Sequence, residues 1–285
     1  MTALRIVEPG PLTLVQDLGR PALAAQGVSR SGAADLGAHA LAQRLCGNDP
    51  TAAGLEVLVG GLVLRADGAV VVAVTGARVE VLVDGVGRGT DLALHLAPGS
   101  ELRLAPASVG VRAYVGVRGG VAVAPVLGSR SRDTLGGIGP AALQPGDLLP
   151  VGDLGIEDVW LEPVPIAPPP DDVVLQMALG PHDDTLDEHG WQLLRRTEWQ
   201  VDPRCDRIGV RLAGIALSVA TSDLPSFPVV PGCVQLPGDG HPVILGPDAG
   251  VTGGYPVLGV IDQRSLDALM QARPGATVRF RPRGR

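Results

Sequence analysis

Hydrophobic residues along the chain fall into short runs, and glycine or proline separates most of these runs. Val70–Thr75 is a continuous apolar run, and Val79–Val83 alternates between apolar and polar positions before Asp84-Gly85. A period of two indicates a half-buried strand, and an Asp-Gly pair after it indicates a two-residue hairpin. Glu101–Leu104 and Arg112–Val117 continue the pattern. The first half is therefore predicted to be mostly strand.

Helical spacing of apolar residues is clearest at Ala33–Leu45. Leu36, Leu41 and Leu45 share one face of such a helix, which predicts that this face is buried. Ser31 lies in the region where an N-cap is expected, and Gly47-Asn48 supplies a stop.

The second half combines strands and helices in the same way. Thr185 and Glu188 have the spacing of a capping box, which predicts a helix start. The predicted strands are Val173–Leu179 and Thr277–Arg281, and the predicted helices are Thr185–Arg196 and Ser265–Arg273.

Each half is thus mostly strand with one or two short helices. This distribution predicts a mainly β protein built from two closed β-barrels rather than a βαβ sheet. The proline-rich stretch Glu162–Asp172 favours extended backbone and is predicted to be the linker. We expect one domain at residues 1–161 and a second at 173–285.

Composition removes several classes of function. Glycine (40) and proline (26) are abundant, but 45% of the 285 residues are hydrophobic, which disfavours disorder. The formal net charge of −7 and the 2% aromatic content disfavour a nucleic-acid partner. The sequence has arginine but no lysine, so these residues contain no Schiff-base lysine, no P-loop lysine and no biotinyl-lysine.

The cysteines suggest a reducing compartment. Cys46, Cys205 and Cys233 are widely separated and have no CxxC spacing, which argues against a disulfide framework or a zinc knuckle. No signal peptide is recognised at the start, and no apolar run reaches membrane-spanning length. We therefore expect a cytoplasmic protein without a membrane partner.

The segment Pro231–Pro256 is the strongest candidate for a ligand-binding loop. Adjacent glycines allow close backbone approach, while acid, hydroxyl and amide groups supply hydrogen bonds around them. The alternative is a multi-turn connection with Tyr255 in the core. The candidate residues are Gln235, Asp248, Thr252, Gly253, Gly254 and Tyr255.

Two further loops carry acids and arginines together. Asp17 and Arg20 form one candidate binding pair, because arginine recognises carboxylates and carbonyls in a fork geometry. Arg130, Arg132 and Asp133 lie in a serine-rich loop with the donor density that an anion site needs. The alternatives are a structural ion pair in the first loop and a solvated loop in the second.

Asp206 and Arg207 precede an apolar run and fit either a binding site or simple surface alternation. His182-Asp183-Asp184, with Asp187 and His189, has the composition of a metal site but lacks HExxH spacing. Asp184 and Glu188 suit a helix N-terminus instead. We therefore predict no metal ligands.

Motifs along nearly the whole chain resemble one family. They are EPGPLTLVQDLGRP, SGAAD with the following helix and GN, GLEVLVGG, TGA, RAYVGVRGG, VLGSRSRDTLGG, DRIGVRL and VVPGCVQLPGDGHPVILGPDAGVTGGYP. The chain resembles the allophanate-hydrolase-subunit-2 family, which is also called the biotin-dependent carboxyltransferase-like family and includes the C subunits of 5-oxoprolinases.

The resemblance implies two cyclophilin-like barrel subdomains and a stable complex with a subunit-1, kinase-inhibitor-like protein. With a third, barrel-like subunit, such a pair would form an ATP-dependent 5-oxoprolinase that converts 5-oxoproline, ATP and water to glutamate. ATP would activate the amide oxygen by phosphorylation, and it would be bound by this chain or by its partner.

Two other functions are compatible with the same resemblance. One is the carboxyltransferase part of a urea carboxylase or allophanate system, which would use carboxybiotin from another chain. The other is a non-catalytic regulator that binds and antagonises a kinase-inhibitor-like partner.

For 5-oxoproline, residue types suggest the following roles. Arg130 or Arg132 would hold the carboxylate, while Asp248 and Thr252 would orient the lactam N–H, with Tyr255 beside them. The amides of Gly253-Gly254 would stabilise an oxyanion or phosphoryl group.

The chain departs from the family pattern at three places. Members usually carry Ser-Glu before the VVPG turn, but Ser226 is followed here by Phe227. His241 stands where glutamine or arginine is common, and Ala249-Gly250-Val251 replaces a more polar run.

Overall fold

The protein is mainly β, as a computed structural model covering residues 2–153, 157–219 and 224–283 shows. These residues form twenty strands and three α-helices, which confirms the predicted fold class. Within the same ranges, no helix is both long enough and apolar enough to cross a membrane.

The chain divides into two compact units, and each unit draws on several segments. Unit 1 contains Met1–Arg20, Ser31–Asp133 and Gly137–Pro169. Unit 2 contains Pro170–Arg285 together with two short segments, Pro21–Arg30 and Thr134–Gly136. The main division falls inside the proline-rich stretch, whereas no sequence pattern indicated that the two short segments belong with unit 2.

The described part of unit 1 has eleven strands in two sheets. The six-stranded sheet has the order β11-β1-β4-β9-β6-β7, and the five-stranded sheet has the order β2-β3-β10-β5-β8. The strands are β1 (Ala3–Pro9), β2 (Leu12–Gln16), β3 (Gly54–Leu58), β4 (Leu62–Ala66), β5 (Val70–Arg78), β6 (Val81–Val83), β7 (Val86–Arg88), β8 (Ala93–Leu96), β9 (Glu101–Leu104), β10 (Val109–Val117) and β11 (Leu148–Pro150).

The core of unit 1 is shared by both sheets. Leu4 and Leu64 from the six-stranded sheet and Leu55, Val72 and Val115 from the five-stranded sheet belong to one buried cluster. Burial of alternate aliphatic residues on facing strands is the main stabilising contribution of such a core.

The hairpin between β6 and β7 forms as predicted. Its two turn residues, Asp84 and Gly85, have φ values of 51° and 77°. Positive φ at both central positions is typical of a type I′ turn, whose twist matches that of the flanking strands. The prediction succeeded because this turn depends only on local residues.

Helix α1 (Leu36–Leu45) begins later than predicted, and its N-cap is Asp35, not Ser31. The Asp35 side chain accepts a hydrogen bond from Ala38 N at 2.9 Å. The residues before it are held in other contacts, because Ala33 N donates to Asp17 O and Ala34 N donates to the Glu56 carboxylate. These contacts compete with the helical conformation.

The proline-rich stretch is anchored to unit 1 near its start. Residues 163–170 form no helix or strand, yet Val164 N donates to Asp91 O at 2.9 Å. Arg78 also donates to Ile166 O. These hydrogen bonds fix the first part of the stretch as an extended strap along unit 1.

Unit 2 is a closed seven-stranded barrel with the order β12-β19-β16-β17-β14-β13-β20, plus a two-stranded pair, β15-β18. Only β12 and β20 of the described barrel strands pair in parallel. The strands are β12 (Asp172–Leu179), β13 (Trp199–Val201), β14 (Gly209–Ala213), β15 (Phe227–Pro228), β16 (Cys233–Gln235), β17 (Val243–Leu245), β18 (Thr252–Gly253), β19 (Val257–Ile261) and β20 (Thr277–Arg283).

The two helices of unit 2 also begin at aspartates that the sequence analysis did not choose. Helix α2 (Glu188–Arg196) is capped by Asp187, which accepts from Gly190 N at 2.7 Å. The predicted cap, Thr185, instead ends a short 3₁₀ turn. Helix α3 (Gln263–Met270) is capped by Asp262, which accepts from Ser265 N at 2.9 Å.

Candidate functional site

Asp248 lies just after β17 and is completely buried. Its carboxylate accepts hydrogen bonds from Arg207 Nε at 2.8 Å and from Arg207 Nη2 at 3.0 Å. The Arg207 side chain is only 4% exposed. A bidentate pair that is removed from water must be kept together, because either charge alone would be costly to bury.

Thr134 also contacts this carboxylate. Its backbone N and its Oγ1 donate to Asp248 Oδ2 at 2.9 and 2.7 Å. Ser29 Oγ donates to the neighbouring Ala249 O at 2.8 Å. Asp248 therefore joins three motifs that are far apart in sequence. Its predicted catalytic role stays a prediction, while the geometry makes it an anchor for the loop that follows β17.

The Thr252–Tyr255 segment forms an exposed lip. Strand β18 pairs with β15 so that Gly253 faces Phe227 in the register. Thr252, Gly254 and Tyr255 are exposed, and Tyr255 reaches 53%, so the alternative that placed this tyrosine in the core is wrong. The Phe227 ring packs on His182 with ring centroids 4.7 Å apart.

Gln235 brings a buried amide against this lip. The residue is 6% exposed, and its Nε2 has no hydrogen-bond partner among the described residues. A Cβ atom added at Gly253 would collide with that nitrogen. Glycine at position 253 therefore allows the Gln235 amide to lie directly against the backbone.

A cleft of about 530 Å³ opens on unit 2 beside Gln235. Cavities of this size hold small molecules, and convergent polar groups on an apolar floor give them specificity. The predicted residues Asp206, Gln235 and Tyr255 all line it, together with residues that were not predicted: Arg204, Ile208, Gly209, Arg211, Pro237, Gly238, Asp239, Val243 and Leu245.

The loop before β14 shapes one rim of the cleft. Asp206 Oδ1 accepts from Ile208 N at 2.8 Å and from Gly209 N at 3.1 Å, which fixes the turn. Arg204 pairs with Asp202 through two hydrogen bonds of 2.9 Å. These bonds lower the pKa of the Asp202 carboxyl, and the charge of Arg211 lowers it further.

Arg211 lines the cleft but was not among the predicted site residues, although its sequence context gave an indication. It lies in DRIGVRL, where apolar and charged positions alternate. Alternation shows that Arg211 faces away from the barrel interior. It does not show that Arg211 shares a cleft with Gln235, because that depends on strand pairing.

Asp17 organises a loop in unit 1. Its Oδ1 accepts from Ser129 Oγ at 2.7 Å and from Ser131 Oγ at 2.5 Å, and its Oδ2 accepts from Arg130 N at 2.6 Å. Gly19 N donates to Oδ1 at 2.8 Å. The carboxylate thus holds the serine-rich loop in place.

The arginines near Asp17 bind main-chain carbonyls. Arg20 is 1% exposed and donates to Val126 O and to Ser131 O. Arg130 Nε donates to Val123 O at 2.8 Å. The predicted loop is therefore an ordered structure rather than a solvated one, and its role in carboxylate binding stays a prediction.

Arg132 and Asp133 continue this pattern. Arg132 Nη1 donates to Gly137 O at 2.9 Å, and its backbone N donates to Val15 O at 3.0 Å. Asp133 is 1% exposed, and its backbone N donates to Ile138 O at 2.8 Å. Both residues help to fix the loop.

A buried polar network in unit 1 was not anticipated. Glu56 Oε2 accepts from Ala34 N at 2.8 Å and from Tyr114 Oη at 2.9 Å. Tyr114 Oη in turn accepts from Asp35 N at 2.8 Å, and Arg112 Nε lies 3.7 Å from Glu56 Oε1. The signal was a lone acid within the otherwise apolar run GLEVL.

This network perturbs two titrations. Burial raises the pKa of the Tyr114 hydroxyl well above its usual value, and the nearby Glu56 charge adds to the effect. Burial also lowers the pKa of His39, although the charges of Asp17 and Glu56 oppose it. Both groups are therefore neutral at pH 7. The buried network connects the motifs SGAAD, GLEVLVGG and RAYVGVRGG.

Clusters of metal-ligating side chains and uncapped helix N-termini are two common kinds of ion site. None of their histidine, cysteine, aspartate and glutamate side chains gather in a group of three that could hold a metal ion. The N-termini of the three described helices are capped by Asp35, Asp187 and Asp262. A carboxylate at a helix N-terminus occupies the donors that a phosphate would otherwise use.

The sequence matches the family described as "Carboxyltransferase domain, subdomain A and B" over residues 26–282. The chain belongs to this family.

Three known proteins are similar to almost the whole chain. The C subunit of the Escherichia coli 5-oxoprolinase is 33% identical over 97% of this chain and 90% of that protein. The crystal structure of TTHA0988 has a TM-score of 0.89 and 34% identity over 99% of this chain. The crystal structure of the Kluyveromyces lactis urea carboxylase has a TM-score of 0.91 and 28% identity over 98% of this chain.

The coverage of the structural relatives is uneven. This chain spans 55% of the TTHA0988 chain and 27% of the urea carboxylase chain. The carboxyltransferase region is therefore shared among proteins of different lengths, so the activity of a longer relative does not follow from this region alone.

Proposed function

We propose that this protein is a subunit of an ATP-dependent amidohydrolase that opens 5-oxoproline to glutamate. The observation that carries the proposal is the 33% identity to the C subunit of a 5-oxoprolinase over 97% of this chain and 90% of that protein. Agreement over nearly the full length of both chains favours a shared role more strongly than agreement over one domain.

In this proposal, the chain recognises the cyclic amide substrate. Such a substrate has a carboxylate, a carbonyl and an N–H within one small ring, so a site needs both donors and an acceptor. The cleft beside Gln235 supplies amide, guanidinium and carboxylate groups over an apolar floor. The adjacent Asp248–Arg207 pair would keep the loop after β17 in its place.

The described residues do not fit a site for the phosphates of ATP. They lack a lysine-bearing phosphate loop, and their helix N-termini are occupied by aspartates. We therefore assign ATP to a subunit-1, kinase-inhibitor-like partner in the hetero-oligomer, and a third barrel-like subunit would complete the enzyme.

A carboxyltransferase role is the second candidate. It is favoured by the family description and by the fold similarity to the urea carboxylase of Kluyveromyces lactis. Because this chain contains no lysine, carboxybiotin would have to come from another chain.

A substrate panel separates the two functions. The purified protein would be combined with its partner subunits, and ADP formation would be measured with 5-oxoproline, with urea, and with urea plus a biotinylated carrier protein. Stimulation by 5-oxoproline alone supports the amidohydrolase. Stimulation that requires urea and the carrier would replace it with the carboxyltransferase.

A further inference from the structure

We propose that the cleft on the outer face of the unit 2 barrel recognises 5-oxoproline through a row of two side chains, Arg211 and Gln235. Arg211 would bind the carboxylate, and Gln235 would donate to the lactam carbonyl. This inference rests on the proposed function for the identity of the ligand. It assigns the carboxylate to Arg211 and not to Arg130 or Arg132.

Strand pairing places the two side chains on one face. Arg211 of β14 pairs with Val243 of β17, and Val243 pairs with Gln235 of β16. Side chains of directly paired residues point to the same side of a sheet, and adjacent strands are about 4.8 Å apart. The Cα atoms of Arg211 and Gln235 are thus roughly 10 Å apart across Val243. A small ring fits between the ends of their side chains.

The neighbouring row faces the opposite way. Val210, Val234 and Ile244 are almost fully buried inside the barrel. Residues that alternate with them must therefore lie outside, where Arg211 is exposed. The cleft is consequently an external site built on the rigid wall of the barrel.

Arg211 is the arginine of the cleft whose guanidinium is not paired. Its charge acts on the Asp202 carboxyl, but its side chain makes no hydrogen bond or close ion pair with any residue in the described ranges. Arg204, by contrast, is engaged by Asp202 through two hydrogen bonds. A guanidinium with all its donors available can bind a ligand carboxylate in a bidentate manner.

Gln235 supplies a second, independent indication. A buried amide nitrogen without an acceptor is unfavourable, because it has lost its hydrogen bonds to water. Nε2 is such a group within the described part of the chain. Half a turn of the terminal amide exchanges Nε2 and Oε1 with little other movement. As placed, Nε2 lies buried against Gly253, so it is after this turn that the amide would donate to a carbonyl oxygen bound in the cleft.

The remaining walls suit a small ring with one N–H. Val243 and Leu245 form an apolar floor, and the exposed Tyr255 lies at the lip. Both hydrogen bonds that Asp206 accepts use Oδ1. Its Oδ2 is therefore the acceptor that we assign to the lactam N–H.

Steady-state kinetics of the reconstituted complex test this assignment. Arg211→Gln should raise the KM for 5-oxoproline by about tenfold or more, because hydrogen bonds between charged groups are stronger than neutral ones. The Ki of 2-pyrrolidinone, a competitor without the carboxylate, should stay unchanged. Gln235→Leu should weaken both compounds. Arg264→Gln, on the exposed face of α3, is the matched control and should leave both values as in the wild type.

A KM within about twofold of wild type for Arg211→Gln, with a large increase for Arg130→Gln, would overturn the inference. Calorimetric titration of 5-oxoproline into the complex provides a readout that needs no turnover. If the complex binds 5-oxoproline, loses this binding in Arg211→Gln, and never releases glutamate, the proposed function is wrong and the proposed site is supported. Absence of binding to the wild-type complex would remove the site.

Discussion

The Asp248–Arg207 pair sets the stability of the loop behind the cleft. Both side chains are almost completely buried, so Asp248→Asn removes a carboxylate charge that accepts two hydrogen bonds from the Arg207 guanidinium in the interior. Loss of one partner of a buried pair costs about 3–5 kcal/mol. We expect the free energy of unfolding, measured by urea denaturation, to fall by about this amount.

Thr134→Val is a milder change at the same carboxylate and serves as the comparison for Asp248→Asn. It removes the Oγ1 hydrogen bond to Asp248 and keeps the backbone N–H. A smaller loss, about 1–2 kcal/mol, is expected. Equal and negligible losses in both variants would show that Asp248 does not hold the loop.

Gly253→Ala tests the contact between the lip and Gln235. The added Cβ meets the end of a flexible side chain, which can move aside, so the cost in stability should be small. The Gln235 amide, however, would be displaced from its position in the cleft. We expect a KM for 5-oxoproline raised about threefold to tenfold with an unchanged thermal midpoint. An unchanged KM would contradict the role of this contact.

Several site residues could be predicted from residue type alone, and others could not. Gln235 and Tyr255, which line the cleft, were candidates because acids, amides and glycines crowd the loop around them. Arg211 was not, because its position beside Gln235 depends on two successive strand registers. Asp248 was found, but its buried arginine partner makes it an anchor in this structure.

At the scale of elements, Asp262 connects helix α3 to the pH dependence of stability. Its carboxylate accepts a hydrogen bond from Ser265 N at 2.9 Å, and hydrogen bonding by Ser265 lowers the pKa of this carboxyl. A group with a lowered folded pKa stabilises the protein above its unfolded pKa, about 3.9, and this contribution is lost as the pH falls through the folded pKa.

Asp262→Ala should therefore destabilise the protein at pH 7 by about 1 kcal/mol, the usual value for an N-cap. The difference from wild type should shrink below about pH 4. Asp262→Asn is the matched control, because asparagine also caps helices but carries no charge. Denaturation curves at about pH 7 and about pH 3 distinguish them. A difference that grows on acidification would contradict the assigned sign.

Local elements were predictable where one arrangement of neighbouring residues was clearly favoured. The Asp84-Gly85 hairpin required positive φ at both positions, and its sequence allows it. Helix starts were less accurate, because Ser31 was predicted as the N-cap region of α1 and Asp35 is the residue that caps it. Contacts of Ala33 and Ala34 with distant residues decided between them.

For the molecule as a whole, the sequence supported the mainly β class and a division in the proline-rich stretch. It did not reveal that Pro21–Arg30 and Thr134–Gly136 belong with unit 2. Such assignments depend on long-range contacts, including the bond from Thr134 to Asp248, which spans 114 residues. Periodicity reports which face of a strand is buried, but not which strand it meets.

The central claim is that this chain is required for the ATP-dependent opening of 5-oxoproline. The most direct measurement is glutamate release by the reconstituted complex, with ATP present or omitted, and with this chain present or omitted. We expect glutamate only when both are present. Undiminished glutamate release without this chain, or no release from the complete complex, would contradict it.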